Sequence, residues 1–324
     1  PSSLKESLEK WLNNTIEQLV GIATAGSSPG GEDPDFDGGR NTRGGGRVEE
    51  KRAVRAVATL SWIGKALAYR GDRVASPSLK IIINLLNTLI TGSVHHSPHV
   101  THAAAQGFGV IMADEGEWRF SDVYGVKVSK FYRQRIFLQN YTSLMTSVAD
   151  DSKTIEERSA KRQSIIKTNA LLALSHLMQH APTTSVKPKL PKLIPHIMRA
   201  LGSSSVSPTT NGDDSKIKTS LKISALFAVF KLLDKSMVHV DPYSDILIDS
   251  CLQYAQFRSR KEVRIVALKC LNVLANLPYH KLHRWKRQVL NNLAEVLDDP
   301  KRVVRKAARE CRNTWYMLKG NLKG

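Results

Sequence analysis

Apolar residues recur at helical spacing over most of the chain. The segment 261–277 shows this most clearly, with steps of four, four and three between Val263, Ala267, Leu271 and Leu274. Such spacing places the side chains on one face of a helix, and the segment 282–298 repeats it. No stretch alternates apolar and polar residues for long enough to predict a strand. The pattern therefore predicts an all-α protein.

One short pattern recurs in six predicted helices: Val or Ile, then usually Arg or Lys, two variable residues, and a small or apolar residue. Its copies begin at Val54, Val100, Ile166, Ile217, Val263 and Val304. These positions are 46, 66, 51, 46 and 41 residues apart. A period of roughly 40–47 residues with two helices per unit is typical of HEAT and armadillo repeats. The sequence predicts an α-solenoid of about six HEAT repeats, with about twelve helices in antiparallel pairs.

The repeated pattern has a simple physical meaning. Residues four apart share a helix face, so the Val and the small residue pack together against a neighbouring helix. The cation that follows the Val turns towards the adjoining repeat, where we expect an acidic residue of the preceding loop to meet it. Asp213, Asp214, Asp298 and Asp299 stand in suitable positions. These cations are expected to form an internal ladder rather than to contact ligands.

Segments rich in Gly, Pro and Ser interrupt the helical pattern. Residues 27–47 and 202–216 predict flexible loops. A further weak stretch lies at 181–188, and 114–129 predicts an irregular connection. Since each two-helix unit cannot bury its apolar face alone, residues 1–324 are expected to form a single array.

The charge balance narrows the classes of partner. The 324 residues include 48 Lys+Arg and 29 Asp+Glu, so 48 − 29 gives a net charge of +19. Such a balance favours nucleic acid, anionic lipid or an acidic protein as a partner. No apolar run is long enough to span a bilayer, and no signal sequence opens the chain. Because the chain starts at Pro1 and enters an amphipathic helix at once, we expect it to be part of a longer protein.

Candidate catalytic chemistry is sparse, and we expect no enzymatic activity. The sequence contains no Gly-rich phosphate loop, nucleophile elbow or His-Glu-x-x-His motif. Three cysteines, Cys251, Cys270 and Cys311, are too few and too scattered for a disulfide framework. They predict small core residues in a reducing compartment, the cytoplasm or nucleus.

Histidines offer the only candidate metal ligands, and we predict that they hold no metal. His95, His99 and His102 would share a face if their helix began early, in a spacing that could bind zinc. Pro98 instead predicts a helix start near 97–98, which leaves His95 and His96 outside it. His176 and His180 are four residues apart but lack a neighbouring Cys or carboxylate. No cofactor is expected.

Basic clusters are the strongest local feature of the sequence. They concentrate near the C-terminal end of the chain and around 131–135, where aromatic residues accompany them. Such a cluster either solvates the surface or forms a docking surface for an acidic protein or phosphate. We favour docking, and the candidate partner-binding residues are Lys301, Arg302, Arg309, Arg312, Trp315, Arg284, Arg287, Arg133 and Arg135. Trp285 falls in an apolar stripe and Arg305 in the predicted ladder, so both could be structural.

Several segments of the chain resemble one scaffold family. The segment 297–309, LDDPKRVVRKAAR, is similar to the closing repeat of that family, and Arg312 and Trp315 continue the similarity. Upstream, 59–67 (TLSWIGKAL), 104–108 (AAQGF) and 132–137 (YRQRIF) resemble further family segments in the same order. The family is the large HEAT-repeat subunit of the cytosolic iron–sulfur assembly (CIA) targeting complex, named for methyl-methanesulfonate sensitivity and nucleotide excision repair.

The resemblance, which extends over 48–318, implies a C-terminal domain that acts as a non-catalytic scaffold. In the family this end docks the small carrier subunit, which holds the WD-repeat subunit. The assembled complex recruits apo-proteins of DNA replication, repair and transcription, such as helicases, polymerases and primase, for cluster insertion. The resemblance implies action in the cytoplasm and nucleus, and it carries over no cluster ligands. Loops 27–47 and 202–216 depart from the family and resemble lineage-specific insertions.

A basic HEAT-like module that binds nucleic acid is the alternative function. Phosphate-driven binding weakens by orders of magnitude over a few-fold rise in salt concentration. A salt titration therefore separates this alternative from the protein scaffold.

Overall fold

The computed structural model describes residues 2–25, 42–70, 75–92, 97–113, 128–149, 157–202, 213–233, 241–258 and 260–318. Within these ranges the chain is helical and contains no strand, which confirms the all-α prediction. The described residues include twelve helices of more than one turn: α1 (Ser2–Ala25), α2 (Thr42–Arg70), α3 (Ala75–Thr91), α4 (Pro98–Met112), α5 (Lys130–Ala149), α6 (Glu157–His180), α7 (Leu190–Gly202), α8 (Asp213–Leu233), α9 (Ser244–Ala255), α10 (Lys261–Leu274), α11 (Tyr279–Val296) and α12 (Arg302–Tyr316). A helical turn at Thr183–Val186 and two 3₁₀ turns, Lys187–Lys189 and Asp241–Tyr243, precede α7 and α9.

The chain forms two compact units, Pro1–Ser185 and Val186–Gly324. The first unit contains three helical hairpins, α1/α2, α3/α4 and α5/α6, whose partners pack against each other. Its odd-numbered helices pack side by side as one layer, and α2, α4 and α6 form the other layer. Arg133, at the start of α5, donates from Nη1 to the carbonyl of His180 at the end of α6 (3.2 Å). The helices of this hairpin are therefore antiparallel.

The second unit repeats the arrangement with the hairpins α7/α8, α9/α10 and α11/α12. Helices α7, α9 and α11 pack in sequence as one layer, and α8, α10 and α12 as the other. Lys286, in the first half of α11, donates from Nζ to the carbonyl of Leu318 beyond the end of α12 (2.8 Å), so this hairpin is also antiparallel. Each unit is thus a stack of three hairpins, as the HEAT-repeat spacing predicts. That the two units form one continuous array over 1–324 remains a prediction.

The recurring Val/Ile pattern lies in the second helix of every hairpin. In five of its six copies the small or apolar residue at the fourth following position is buried: Ala104, Ala170, Leu221, Ala267 and Ala308. The first copy is wrong in register, because Ala58 is exposed. The buried stripe of α2 passes instead through Ala53, Val57 and Leu60. The predicted repeat period is therefore confirmed, but the prediction of which face of α2 is buried is wrong.

The predicted loops require correction at their edges. Helix α2 begins at Thr42 and α8 at Asp213, so 42–47 and 213–216 are helical rather than flexible. The stretch 181–188 contains a helical turn and part of a 3₁₀ turn. Residues 26–41, 114–127 and 203–212 lie outside the described ranges. The prediction that a helix begins at about 97–98 is confirmed, since α4 starts at Pro98 and Ser97 caps it by accepting a hydrogen bond from the His99 amide.

Candidate partner-binding surface

Helix α12 has two sharply different faces. Val304, Ala308, Cys311 and Trp315 are completely buried, and their spacing of four, three and four residues forms one apolar stripe. The stripe anchors the helix, because Trp315 Nε1 donates to the carbonyl of Leu271 in α10 (2.9 Å). The opposite side of α12 is left to solvent and carries most of its cations.

That opposite side forms a continuous cationic patch, which we call the basic face: Lys301, Arg302, Lys306 and Arg309. All four side chains are exposed. Lys301 is the extended residue that precedes the helix, and its backbone N–H donates to Asp299 Oδ1 (2.8 Å). Glu310 lies 4.0 Å from Lys306 in an exposed pair, which contributes little to stability. The basic face therefore presents cations that are available to a partner.

Helix α11 holds its cations against acidic residues of the preceding hairpin. Asp245 in α9 accepts hydrogen bonds from Arg284 Nη2 and from Trp285 Nε1 (2.7 Å for the indole). Burial raises the pKa of Asp245, but these two hydrogen bonds outweigh burial and leave the pKa below its usual value. Lys281 Nζ pairs with Asp241 at 2.6 Å. Arg284 and Trp285 thus fasten α11 to α9, whereas Arg287 is exposed.

Arg264 is a ladder cation, as predicted, but its acidic partner does not come from the preceding loop. Its guanidinium pairs with Asp299 (Nε–Oδ2 2.7 Å), and both side chains are less than one tenth exposed. Asp299 belongs to the next hairpin, in the loop between α11 and α12, and not to the loop that precedes α10. The preceding loop instead supplies the carbonyls of Phe257 and Arg258, which accept from Nη1 at 2.9 and 3.1 Å. A buried pair of this kind is costly to break, about 3–5 kcal/mol when one partner is removed.

Other copies of the pattern differ from Arg264 in the exposure of their cation. Arg55 and Lys218 are exposed, and Lys167 is half-buried. The side chains of Asp213 and Asp214 lie outside the described part of the chain. Burial of a ladder cation between hairpins is therefore shown at Arg264.

Three of the candidate contact residues are partly or fully buried. Trp315 is fully buried, so it belongs to the core and is not an exposed anchor. Arg133 is buried as well, with Nη1 on the carbonyl of His180 (3.2 Å), so it closes the α5/α6 hairpin. Arg312 is half-buried. Arg135 is exposed and lies in the first unit.

Two features of the C-terminal hairpin were missed from the sequence. Lys306 lies on the basic face between Arg302 and Arg309, as its spacing of four and three residues could have shown. Tyr316 is 67% exposed although it directly follows the buried Trp315. Its distance of seven residues from Arg309 places it beside the arginines of α12.

The histidines and cysteines lie in packed surroundings. Burial, and to a lesser extent the nearby His102, lowers the pKa of His176 to about 4. Burial raises the pKa of Cys311 to about 12, and Cys251 and Cys270 are also buried free thiols. Among the described residues, no three His, Cys, Asp or Glu side chains come together as metal ligands. His95 and His96 lie outside the described ranges.

Hydropathy gives one further finding. In the part of the chain that the structure describes, no helix is both long enough and apolar enough to cross a membrane.

The hairpin stacks define an armadillo/HEAT-like repeat protein, and solved structures agree. An engineered protein superposes with a TM-score of 0.51 over 93% of this chain and 96% of its own, at 14% sequence identity. The designed armadillo repeat protein YIII(Dq)4CqI gives the same TM-score at 12% identity, over 93% of this chain and 99% of its own. At such low identity the similarity shows the fold alone.

Sequence comparison defines the family. A family model described as the RNAPII transcription regulator C-terminal domain of MMS19 matches residues 44–275. This range exceeds half of the chain, and the chain belongs to the MMS19 family.

Named relatives agree with this assignment. The MMS19 nucleotide excision repair protein homolog of Xenopus tropicalis is 30% identical over 277 residues, which cover 84% of this chain and 23% of the relative. The human homolog is 29% identical over 267 residues, covering 81% and 22% respectively. The DNA repair/transcription protein mms19 of Schizosaccharomyces pombe is 26% identical over 269 residues, covering 82% and 23%. The chain thus spans less than a quarter of the length of these relatives.

Proposed function

We propose that this chain is a non-catalytic docking scaffold of the CIA targeting complex, within the DNA repair and transcription role of the MMS19 family. It would dock the carrier subunit, which holds the WD-repeat subunit, and help to recruit apo-proteins of replication, repair and transcription for cluster insertion. We expect it to act in the cytoplasm and nucleus. The observation that carries the proposal is the exposed basic face on the last described hairpin of a two-layer repeat fold.

The local structure supports docking of an acidic protein. Lys301, Arg302, Lys306 and Arg309 are exposed on a helix whose other face is anchored by the buried Trp315. A rigid helix that displays several cations attracts an acidic partner and fixes its orientation. Repeat proteins bind through surfaces made by stacked helices, and α12 is part of such a stack.

The test is reconstitution with the other CIA targeting subunits, followed by charge reversal on the basic face. The double variant Lys301→Glu/Arg302→Glu should weaken capture of the carrier subunit by tenfold or more, because like-charge contacts at an interface can cost several kcal/mol. The matched control is Lys192→Glu/Lys218→Glu, which changes the net charge equally at two exposed positions of α7 and α8. The control should bind as wild type does.

A melting curve of each variant accompanies the binding assay. If the Lys301/Arg302 variant melts normally and still captures the carrier subunit as wild type does, docking through the basic face is wrong. If wild type itself fails to co-elute with the two subunits in size-exclusion chromatography, the scaffold proposal is wrong.

The net charge of +19 favours nucleic-acid binding as a second candidate function. In that case the chain would bind an oligonucleotide, and the affinity would fall by orders of magnitude between about 50 and 200 mM salt. Tight binding to the carrier subunit at physiological salt, without measurable oligonucleotide binding, would exclude this candidate.

A further inference from the structure

The last two hairpins of the second unit are structural copies of each other. Residues 41 positions apart have the same burial in α10 and α12: Val263 and Val304, Ala267 and Ala308, Cys270 and Cys311, Leu274 and Trp315 are all buried. The residues that precede the two helices are both extended, Arg260 with φ −138° and ψ 116° and Lys301 with φ −96° and ψ 117°. The surroundings of a residue in α10 therefore show what its counterpart in α12 can bind.

Arg264 in α10 uses two edges of its guanidinium group. Nη1 donates to the carbonyls of Phe257 and Arg258 in its own preceding loop. The other edge faces the Asp299 carboxylate of the next hairpin at two points: Nη2 donates to Oδ1 (3.2 Å), and Nε lies 2.7 Å from Oδ2 as an ion pair. A planar guanidinium is well suited to such a two-point carboxylate contact.

Arg305, the counterpart of Arg264, makes only the first of these contacts. Its Nη1 donates to the carbonyl of Asp299 at 2.6 Å, and Asp299 is the counterpart of Arg258. Among the described residues, no carboxylate takes the second edge. The half-buried Arg305 thus repeats the donor arrangement of Arg264 without the acid.

The neighbours of Arg305 extend the same face of α12. Positions 268, 271 and 275 of α10 lie on the side of Arg264 and hold the buried residues Leu268, Leu271 and Ala275. Their counterparts in α12 are Arg309, Arg312 and Tyr316. We call Arg305, Arg309, Arg312 and Tyr316 the end face.

In the described part of the chain, the end face contains a buried hydrogen-bond donor that has no acceptor. The Nε of Arg312 is buried and lacks an acceptor in the described part of the chain. A buried donor without a partner is destabilising, so an acceptor supplied by a ligand would be stabilising. Arginine and tyrosine are also the residues that most often anchor protein interfaces.

We propose that the end face binds an aspartate-bearing acidic segment of a protein partner, with one carboxylate forking onto Arg305 as Asp299 forks onto Arg264. The end face contains three arginines and no acid, which gives charge complementarity to such a segment. This inference rests on the proposed function in one respect, that the partner is a protein.

The test uses the intact chain and a probe copied from its own ladder. The probe is an acetylated, amidated peptide of residues 295–300 (EVLDDP), which contains Asp299 and no cation. Its control carries Asp299→Asn. Binding is followed by NMR of the arginine Nε–Hε signals, and the Arg305 signal is assigned by its loss in Arg305→Lys. The Asp peptide should shift the signals of Arg305 and Arg312, and the Asn peptide should bind at least severalfold more weakly.

Two substitutions separate the fork from simple charge attraction. Arg305→Lys keeps the charge but loses the two-point contact, and it should weaken binding of the Asp peptide by about tenfold, since bidentate contacts add energy as well as geometric specificity. Arg199→Lys, at an exposed position of α7 outside the basic face and the end face, is the matched control and should leave binding unchanged. Tyr316→Ala, at a 67% exposed position, should also weaken the peptide, and it provides an end-face variant that folds even if Arg305→Lys does not.

Several outcomes would overturn the inference. One is equal binding of the Asp and Asn peptides, and another is equal weakening by Arg199→Lys and Arg305→Lys. Displacement of the peptide by inorganic phosphate or a thymidine oligonucleotide at equimolar concentration would show a phosphate surface instead. Because no CIA subunit enters this assay, failure of the peptide with retained carrier-subunit binding would reject the end face alone. Peptide binding without carrier-subunit binding would reject the proposed function alone.

Discussion

At the scale of residues, cations in the same sequence pattern have different roles because their neighbours differ. Arg55 is exposed, Arg264 is enclosed between its own loop and Asp299, and Arg305 has only the loop contact. A buried guanidinium needs both hydrogen bonds and a counter-charge to offset its desolvation. Arg264 meets this requirement through the next hairpin, and Arg305 meets it in part. The pattern therefore specifies a position in the repeat, and the contacts specify the role.

His176 shows how burial converts a common residue into a pH-dependent contribution to stability. Its folded-state pKa of about 4 lies below the usual 6.5, so the folded protein resists protonation of this ring more than the unfolded chain does. Its contribution to the free energy of unfolding is complete above about pH 6.5 and falls as the pH drops towards 4, by about 1.4 kcal/mol per pH unit. We expect His176→Gln to reduce this dependence, measured by urea unfolding between pH 7.5 and 5. Identical pH profiles for wild type and variant would contradict this expectation.

At the scale of elements, a close crossing between α4 and α6 depends on a glycine. A Cβ added at Gly109 would lie 2.8 Å from Nδ1 and 3.0 Å from Cγ of His176, closer than real side chains approach. The imidazole ring would have to shift to admit the added methyl group. The sequence segment AAQGF that resembles the family lies in this same helix, one turn or less before the contact.

Gly109→Ala is expected to destabilise the protein by about 1–3 kcal/mol, because overpacking forces neighbouring side chains out of position. The matched control is Gly21→Ala in α1, where a Cβ would meet nothing within 4 Å. There the better helix propensity of Ala should stabilise by about 0.5–1 kcal/mol. Both values come from denaturant unfolding. Equal effects of the two substitutions would show that the crossing is looser than the structure indicates.

At the scale of the whole molecule, stability is distributed along the stack of hairpins in each of the two units. Within each unit a helix packs against its hairpin partner and against the same-layer helices of adjacent hairpins. Repeat proteins of this kind behave as sums of local stabilities and nearest-neighbour interfaces. A substitution that destabilises one hairpin should therefore destabilise mainly the adjacent hairpins.

Trp315→Ala tests this distribution. The side chain is fully buried and its indole donates to the carbonyl of Leu271, so truncation should cost about 3–5 kcal/mol. Hydrogen–deuterium exchange should accelerate most in α10, α11 and α12, less in α7 and α8, and not in α1 and α2. Tyr316→Ala, at the exposed neighbouring position, should leave exchange unchanged. Uniform acceleration over the whole chain would contradict a nearest-neighbour stack.

The sequence by itself determined the helical class, the two-helix repeat and the placement of the repeat pattern. It did so because helix periodicity and the recurrence of Val263-Arg264 and Val304-Arg305 are local properties, set by which side chains can share one face. It also gave the exposed cations Arg302 and Arg309, whose exposure follows from lying opposite the apolar stripe of α12.

Only the tertiary structure decided which of the aromatic and basic residues contact another helix or hairpin. Trp315 and Arg133 belong to the core because they contact the backbone of helices 44 and 47 residues away in sequence, and spacing along one helix carries no information about such partners. The same holds for Arg264, whose carboxylate partner lies in the loop of the next hairpin, and for the second edge of the Arg305 guanidinium group. Burial and counter-charge depend on what packs against a face, and that is settled when the hairpins stack.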